Sequence, residues 1–242
     1  MKISVVIPAR NEEGNIEHAV TAVENALAGR EYEIIVMDDG STDATPQIAD
    51  RLARGRVRVI HRRPPNGFGR TVREGLLAAK GDVIVPVMGD LSDDPADLLK
   101  LVNKIEEGYD IAIGSRFVSG GSVEGYPKPK LYLGNRVWNL TARTLYMLPY
   151  KDLSNAFKAY RRNVIENVNI ESTGFEITAE ILLKALTKGY RAAEVPVRWY
   201  GRRSGAPKMS FLKVAPAYLW MMLRLWPAYV ASRAKRVKPA AV

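Results

Sequence analysis

Through its first half the sequence alternates short β-branched runs with longer amphipathic stretches, and this alternation limits the fold more than any other feature. The segments ISVVIP (3–8), YEIIVMD (32–38), VRVIH (57–61), DVIVPVM (82–88) and DIAIGSR (110–116) have the length and composition of strands. Between them lie helical patterns: from about Ile16 to Leu27, in STDATPQIADRLA, in GRTVREGLLAAKG and in PADLLKLVNKIEEG. Ser, Asp and Pro stand at helix starts, where orphan N–H groups need a cap or where a missing donor does no harm. Such an alternation predicts an α/β fold, a mostly parallel sheet flanked by helices.

Open sheets of this kind bind ligands outside the carboxyl ends of their strands. Polar clusters fall at those ends: PARNEE after the first run, DDGSTD after the second, GDLSDD after the fourth and GSR after the fifth. Any one of them also reads as a solvated loop with a helix cap, but four on one edge predict a ligand crevice. In DDGSTD, capping uses Ser41 to Asp43, and Asp38 and Asp39 are expected to remain free for a base edge or ribose hydroxyls. In GDLSDDP, Asp90 and Ser92 have the alternate spacing that keeps two oxygens on one side of an extended segment. Oxygens so placed suit Mg²⁺ or Mn²⁺, which take one or two carboxylates plus substrate phosphates. Asp93 and Asp94 are expected to start the helix after Pro95.

After Gly114 the alternation stops. A Gly/Pro/Lys-rich loop, VSGGSVEGYPKPK, leads to a helix near 131–147, followed by KDLSNAFKAYRR, a helix near 175–187, a strand YRAAEVPVRW and a basic loop YGRRSGAPK. No linker-like composition intervenes, so one domain is expected over 1–210, with an aromatic, basic segment over 211–242. Lys213 and Arg224 leave ten uncharged residues between them, with Pro216 inside, whereas a membrane span needs about 20 apolar residues. Trp220, Trp226, Tyr218 and Tyr229 beside Arg233, Lys235, Arg236 and Lys238 instead fit an amphipathic helix lying on an anionic leaflet, or a core helix with a basic tail. A net charge of +10 favours anionic partners. With no cysteine, a metal must sit on oxygen or on His18 or His61. The first apolar run breaks at Pro8 and Arg10, as a mature strand and not as a signal peptide. Aromatics are not interleaved along a basic strand platform, so no nucleic acid is expected as a partner.

VVIPARNEE, DDGSTD, GDLSDDP, GSR and the pattern Glu-x-Pro…Arg-x-x-Gly-x-x-Lys in EVPVRWYGRRSGAPK together resemble the inverting GT-A glycosyltransferases of the family 2 type, nearest to the dolichyl/polyprenyl-phosphate mannose synthase group. The resemblance covers about residues 1–210. It implies a GT-A (Rossmann-like) fold and transfer, with inversion, of a hexosyl unit from a nucleotide diphosphate sugar to a polyprenyl or dolichyl phosphate. Mannose is favoured over glucose or N-acetylglucosamine. The implied setting is the cytoplasmic face of the membrane, with peripheral attachment or a membrane-anchoring partner. By resemblance, Pro8, Ala9, Arg10, Glu12, Asp39, Gly89, Asp90 and Lys208 surround the donor, and Asp90 with Ser92 holds the Mg²⁺ or Mn²⁺. Asp90, Arg116, Lys130, Asp152 and Arg202 carry catalysis, with Glu176 a further contact in the cleft.

The chain departs from the family pattern at Met88, where the first acid of the usual Asp-x-Asp stands, and at Lys130, Asn155 and Pro207, where Arg, Gly and Ser are usual. Because a thioether is a poor ligand for a hard cation, a donor-binding protein without efficient turnover stays open beside the transferase. A different nucleotide-using transferase would carry a Gly-rich basic loop near the N-terminus, which PARNEE is not.

Overall fold

The computed structural model describes residues 1–125, 129–202 and 211–237, with side chains at 1–125, 132–202 and 214–234. The predicted alternation is present: β1 (Ile3–Ala9), α1 (Ile16–Ala26), β2 (Tyr32–Asp38), α2 (Thr45–Leu52), β3 (Val57–His61), α3 (Phe68–Ala78), β4 (Val83–Pro86), α4 (Leu98–Glu106) and β5 (Ile111–Ser115). All seven residues of β1 are buried, because both faces of the sheet are covered. Val5 and Ile7 belong to a core with Ile16 and Val20 of α1 and Leu101 of α4. Val6, one residue out of phase, belongs to the opposite core with Val72 and Leu76 of α3. The period of two along a strand thus sorts one run of β-branched residues into two cores.

The later elements are β6 (Ser122–Glu124), α5 (Pro129–Leu145), β7 (Lys158–Arg161), α6 (Arg162–Asn167), α7 (Ile177–Lys188), β8 (Ala192–Pro196), β9 (Arg198–Tyr200) and α8 (Phe211–Val237). The main sheet has the order β3-β2-β1-β4-β7-β5-β8, and β7 runs antiparallel to both of its neighbours. The strand expected over 190–199 divides at Val197. Its amide still donates to Ser115 O at 3.0 Å, but its carbonyl accepts from Ser122 N at 3.2 Å, so the chain leaves the main sheet there. β9 then pairs with β6 in a separate two-stranded ribbon. That division delivers Arg202 to the strand ends.

α8 contains Pro216 and Pro227 and packs on α7 and α5, with Tyr218 Oη donating to Phe175 O at 2.7 Å and Tyr146 Oη donating to Met222 O at 2.6 Å. Among the described residues no helix is long and apolar enough to cross a membrane.

Candidate active site

The loops after β1 and β2 are laced together. Asp39 N donates to Ala9 O at 2.9 Å, Glu12 N to Thr45 Oγ1 at 2.7 Å, Thr42 N to Asn11 Oδ1 at 2.8 Å and Ala44 N to Glu13 Oε2 at 2.9 Å. Pro8 and Ala9 are buried at the end of β1, and Arg10 follows them exposed. Gly40 turns with φ +67°, a left-handed conformation that favours glycine. Asp38 and Asp39, expected to be free, are both engaged. Asp38 accepts from Ser41 N at 3.1 Å and lies 3.0 Å from His61 Nδ1. Asp39 accepts from Gly67 N at 2.9 Å and pairs with Arg62, which also grips Glu74 at 2.7 and 2.8 Å. Both aspartates are almost fully buried, and a buried charge needs such partners. Hydrogen bonds donated to Asp38 and Asp50 raise the His61 pKa above its ordinary value.

Gly89 backs onto Pro8, whose carbonyl oxygen would lie 3.0 Å from a Cβ at that position. Leu91 adopts φ +58°, rare for a branched residue, in a turn where Asp90 Oδ1 accepts from Ser92 N at 3.0 Å. β9 is fastened across this turn. Tyr200 N donates to Ser92 O at 2.8 Å, Arg198 N to Asp97 Oδ2 at 2.7 Å, and Arg198 Nη2 lies 3.0 Å from Asp94 Oδ2. The next residues deliver Arg202 to the strand ends, where Nη1 is 3.1 Å from Asp90 Oδ2 and Nη2 is 2.7 and 2.9 Å from the Glu12 oxygens. Glu12, Asp90 and Arg202, far apart in sequence, therefore meet.

Beside this cluster lies a cavity of about 140 Å³ whose lining includes Met88, Asp93, Arg116, Asn155, Phe175 and Trp199. Arg116 is held there by Asp152, with Nε and Nη2 at 2.7 and 2.8 Å from its two oxygens and the Arg116 amide at 3.1 Å. Asn155 Nδ2 donates to Gly114 O at 2.9 Å, and Glu176 accepts from Gly174 N at 3.1 Å. Of the remaining candidates, Lys130 lies in α5 but its side chain falls outside the described residues, as does all of Lys208.

Two groups at this site went unread in the sequence. Asp94 caps the following turn, accepting from Ala96 N at 3.0 Å, but Asp93 does not. It is 1 % exposed, and neither oxygen has a hydrogen-bond partner among the described residues. Burial, with the charge of Asp90, pushes the Asp93 carboxyl up to about 7 against the pull of the Arg116 charge; the nearby Met88 amide does not reach hydrogen-bond geometry. Lys158 is fully buried, its Nζ donating to Leu153 O at 3.0 Å and to Asn155 O, and burial pulls its pKa down to about 7. The signal for Asp93 was that only one of two adjacent aspartates can cap one turn.

For a divalent ion, the strand ends offer the Asp90 carboxylate and the Ser92 hydroxyl; Met88 adds only a soft thioether. Among the described residues no group of three or more His, Asp or Glu side chains is placed to hold a metal. These donors fit an ion of the Mg²⁺ kind, held by one protein carboxylate and mainly by substrate phosphates.

A family model described as glycosyl transferase family 2 matches residues 4–168. The dolichol-phosphate mannosyltransferase of Pyrococcus furiosus is 38 % identical over 211 residues, which are 86 % of this chain and 59 % of that protein. The polyprenol monophosphomannose synthase of Mycolicibacterium smegmatis is 34 % identical over 215 residues, 85 % of this chain and 80 % of that one. Among solved structures, glucosyl-3-phosphoglycerate synthase from Mycobacterium tuberculosis in complex with Mn²⁺, UDP and glucosyl-3-phosphoglycerate superimposes with a TM-score of 0.69 at 21 % identity, over 96 % of this chain and 79 % of that one. That likeness establishes the GT-A-like fold.

Proposed function

Because this chain belongs to glycosyl transferase family 2, we propose that it transfers a hexosyl unit, mannose favoured, from a nucleotide diphosphate sugar to a polyprenyl phosphate, with inversion at C1. The observation that carries this reading is the Glu12–Arg202–Asp90 bridge. It gathers a cation and a hard carboxylate at the carboxyl end of a parallel sheet, where phosphates dock in folds of this kind. The relatives named for polyprenyl- and dolichol-phosphate mannose synthesis support the acceptor.

In this scheme Pro8, Ala9, Arg10, Glu12, Asp39 and Gly89 border the nucleotide, and Lys208 adds charge. Arg202 exchanges its carboxylate partners for a phosphate, which its planar fork can bind with two bonds. Arg116, clamped by Asp152, is a cation fixed in orientation, and Lys130 comes from α5. A phosphate monoester has a second pKa of about 6, so the attacking oxygen is ionised near neutral pH and no protein base is required. The residues then act by aligning acceptor oxygen, sugar carbon and leaving diphosphate, and by holding charge. Asp90 and Ser92 would hold Mg²⁺ or Mn²⁺, which when bound neutralises charge on the leaving diphosphate. The Mn²⁺ and UDP named with the structural neighbour support use of a divalent ion, without reference to particular residues.

The membrane side of the reading rests on α5 and α8. Leu133, Val137 and Leu140 on one helix and Leu219, Trp220 and Leu223 on its neighbour are all more than half exposed. Arg136 and Arg233 stand exposed on the same two helices. Apolar residues flanked by cations are the composition of a surface that lies on an anionic leaflet, here the cytoplasmic one. Met88 favours a second reading, donor binding without efficient turnover.

The test is transfer of labelled sugar from GDP-mannose, UDP-glucose and UDP-N-acetylglucosamine into extractable polyprenyl phosphate, with Mn²⁺, Mg²⁺ or chelator. Transfer from one donor is expected. Donor binding with no transfer would favour the second reading, and absence of both would overturn the first.

A further inference from the structure

The cavity beside the phosphate cluster holds a group that the proposed chemistry leaves unused. Asp93 is buried and neither carboxyl oxygen makes a hydrogen bond among the described residues, although a buried polar group without a hydrogen bond is costly to keep. Helix capping does not account for it, since Asp94 performs that role. The main chain keeps Asp93 in place: it bridges to Trp199, and Asp94 N donates to Arg198 O at 3.3 Å. Its backbone is thus fixed by pairing while its side chain lines the cavity.

The walls say what kind of ligand would satisfy it. Trp199, Tyr218 and the stacked pair Phe68–Phe175, with ring centroids 4.5 Å apart, give the cavity aromatic faces. A carboxylate with two open oxygens accepts hydrogen bonds from neighbouring hydroxyls, and aromatic faces pack against C–H surfaces. A molecule with vicinal hydroxyls on one side and C–H groups on the other is a pyranose. A phosphate is disfavoured by the negative charge of Asp93. A free cation is disfavoured by the Arg116 guanidinium that lines the same space.

We propose that Asp93 is a sugar-binding residue, its carboxylate accepting hydrogen bonds from the hydroxyls of the hexosyl unit while the Glu12–Arg202–Asp90 cluster takes the phosphates. The proposal rests on the donor reading above and adds the residue that recognises the sugar. Asp93 forms no bond to the reacting carbon; it separates donors that carry a sugar from those that do not.

The experiment is calorimetric titration of the full chain, with Mn²⁺ present, using GDP, UDP, GDP-mannose and UDP-glucose, on wild type and Asp93→Asn. The variant is expected to bind the nucleoside diphosphate as wild type does. It should lose about tenfold or more of its affinity for the matching sugar nucleotide, the scale of a lost hydrogen bond to a charged acceptor. Equal losses for nucleotide and sugar nucleotide, or no loss for either, would overturn the proposal. If wild type binds none of the four probes, the donor reading itself fails and takes the proposal with it. A measurement without substitution stands beside these: the Asp93 carboxyl ¹³C resonance should move when the sugar nucleotide is added and not when its nucleoside diphosphate is. A resonance indifferent to the sugar would refute the assignment even if Asp93→Asn did not fold.

Discussion

Arg202 Nη1 lies 3.1 Å from Asp90 Oδ2, so the carboxylate best placed for a divalent ion is already paired with a guanidinium. The same guanidinium reaches both oxygens of Glu12, which ties the β1 loop to the segment after β9. If Asp90 holds a divalent ion as proposed, Arg202 would have to give up this pairing and would then be able to bind phosphate.

Arg202→Ala should move two affinities in opposite directions. Binding of GDP or UDP is expected to weaken about tenfold, the value of one charge-assisted hydrogen bond to phosphate. Binding of Mn²⁺ alone should tighten, because Asp90 loses its competing cation. Calorimetry for the nucleotide and electron paramagnetic resonance of unbound Mn²⁺ measure the two separately. A fall in both would mean that Arg202 assists the metal and does not compete with it.

The pair Arg116–Asp152 is a matter of stability first. Asp152 is fully buried and meets Arg116 with both oxygens. Asp152→Asn leaves the guanidinium without its counter-charge and is expected to destabilise the chain by about 3–5 kcal/mol. Arg116→Lys keeps the charge, loses the second prong and should fall between the two. Urea denaturation with an unchanged m-value checks both; a loss below about 1 kcal/mol for Asp152→Asn would show that water or another residue replaces the carboxylate.

How much of this was legible in the sequence follows from which interactions are local. The strand–helix order through Ser115 and the placement of Glu12, Asp39 and Asp90 at strand ends come from period-two and amphipathic patterns, which a linear reading detects. β7 was not legible: its four residues sit between two strands distant in sequence, and its Lys158 is buried only because Leu153 O and Asn155 O reach back to it. Nor was the break at Val197, which depends on Ser115 and Ser122. Asp93 shows the same limit within a site: its sequence context is that of a cap, and only the position of Trp199 opposite reveals that its side chain is left in a cavity.

His61 supplies the pH dependence. It lies 3.0 Å from both Asp38 and Asp50, and these hydrogen bonds raise its pKa. A raised folded-state value means that His61 stabilises the fold fully below its ordinary pKa of about 6.5, and that this contribution is lost as the pH rises through the higher, folded value. The difference in melting temperature between wild type and His61→Asn should therefore be largest near about pH 5 and shrink toward about pH 9. A difference that stays constant or grows over that range would show that His61 is neutral in the fold and that its two aspartate contacts are ordinary hydrogen bonds.

The exposed apolar residues of α8 give a prediction independent of the chemistry. Trp220 and Leu223 are 68 % and 56 % exposed, so replacing both with Ser removes apolar surface without opening the core. The double variant should keep its stability within about 0.5 kcal/mol, as surface changes do. Its partition into vesicles containing anionic phospholipid should nevertheless fall about tenfold or more, since each buried apolar side chain is worth about 1.5–3 kcal/mol at full transfer and a fraction of that at an interface. Sedimentation with lipid vesicles at two salt concentrations separates the terms: Arg136 and Arg233 contribute a part that salt weakens, and Trp220 and Leu223 a part that it does not. If the double variant and wild type sediment alike, this face does not meet the membrane. The exposed leucines and tryptophans would then serve another contact, and sugar transfer would have to draw its lipid acceptor from elsewhere on the molecule.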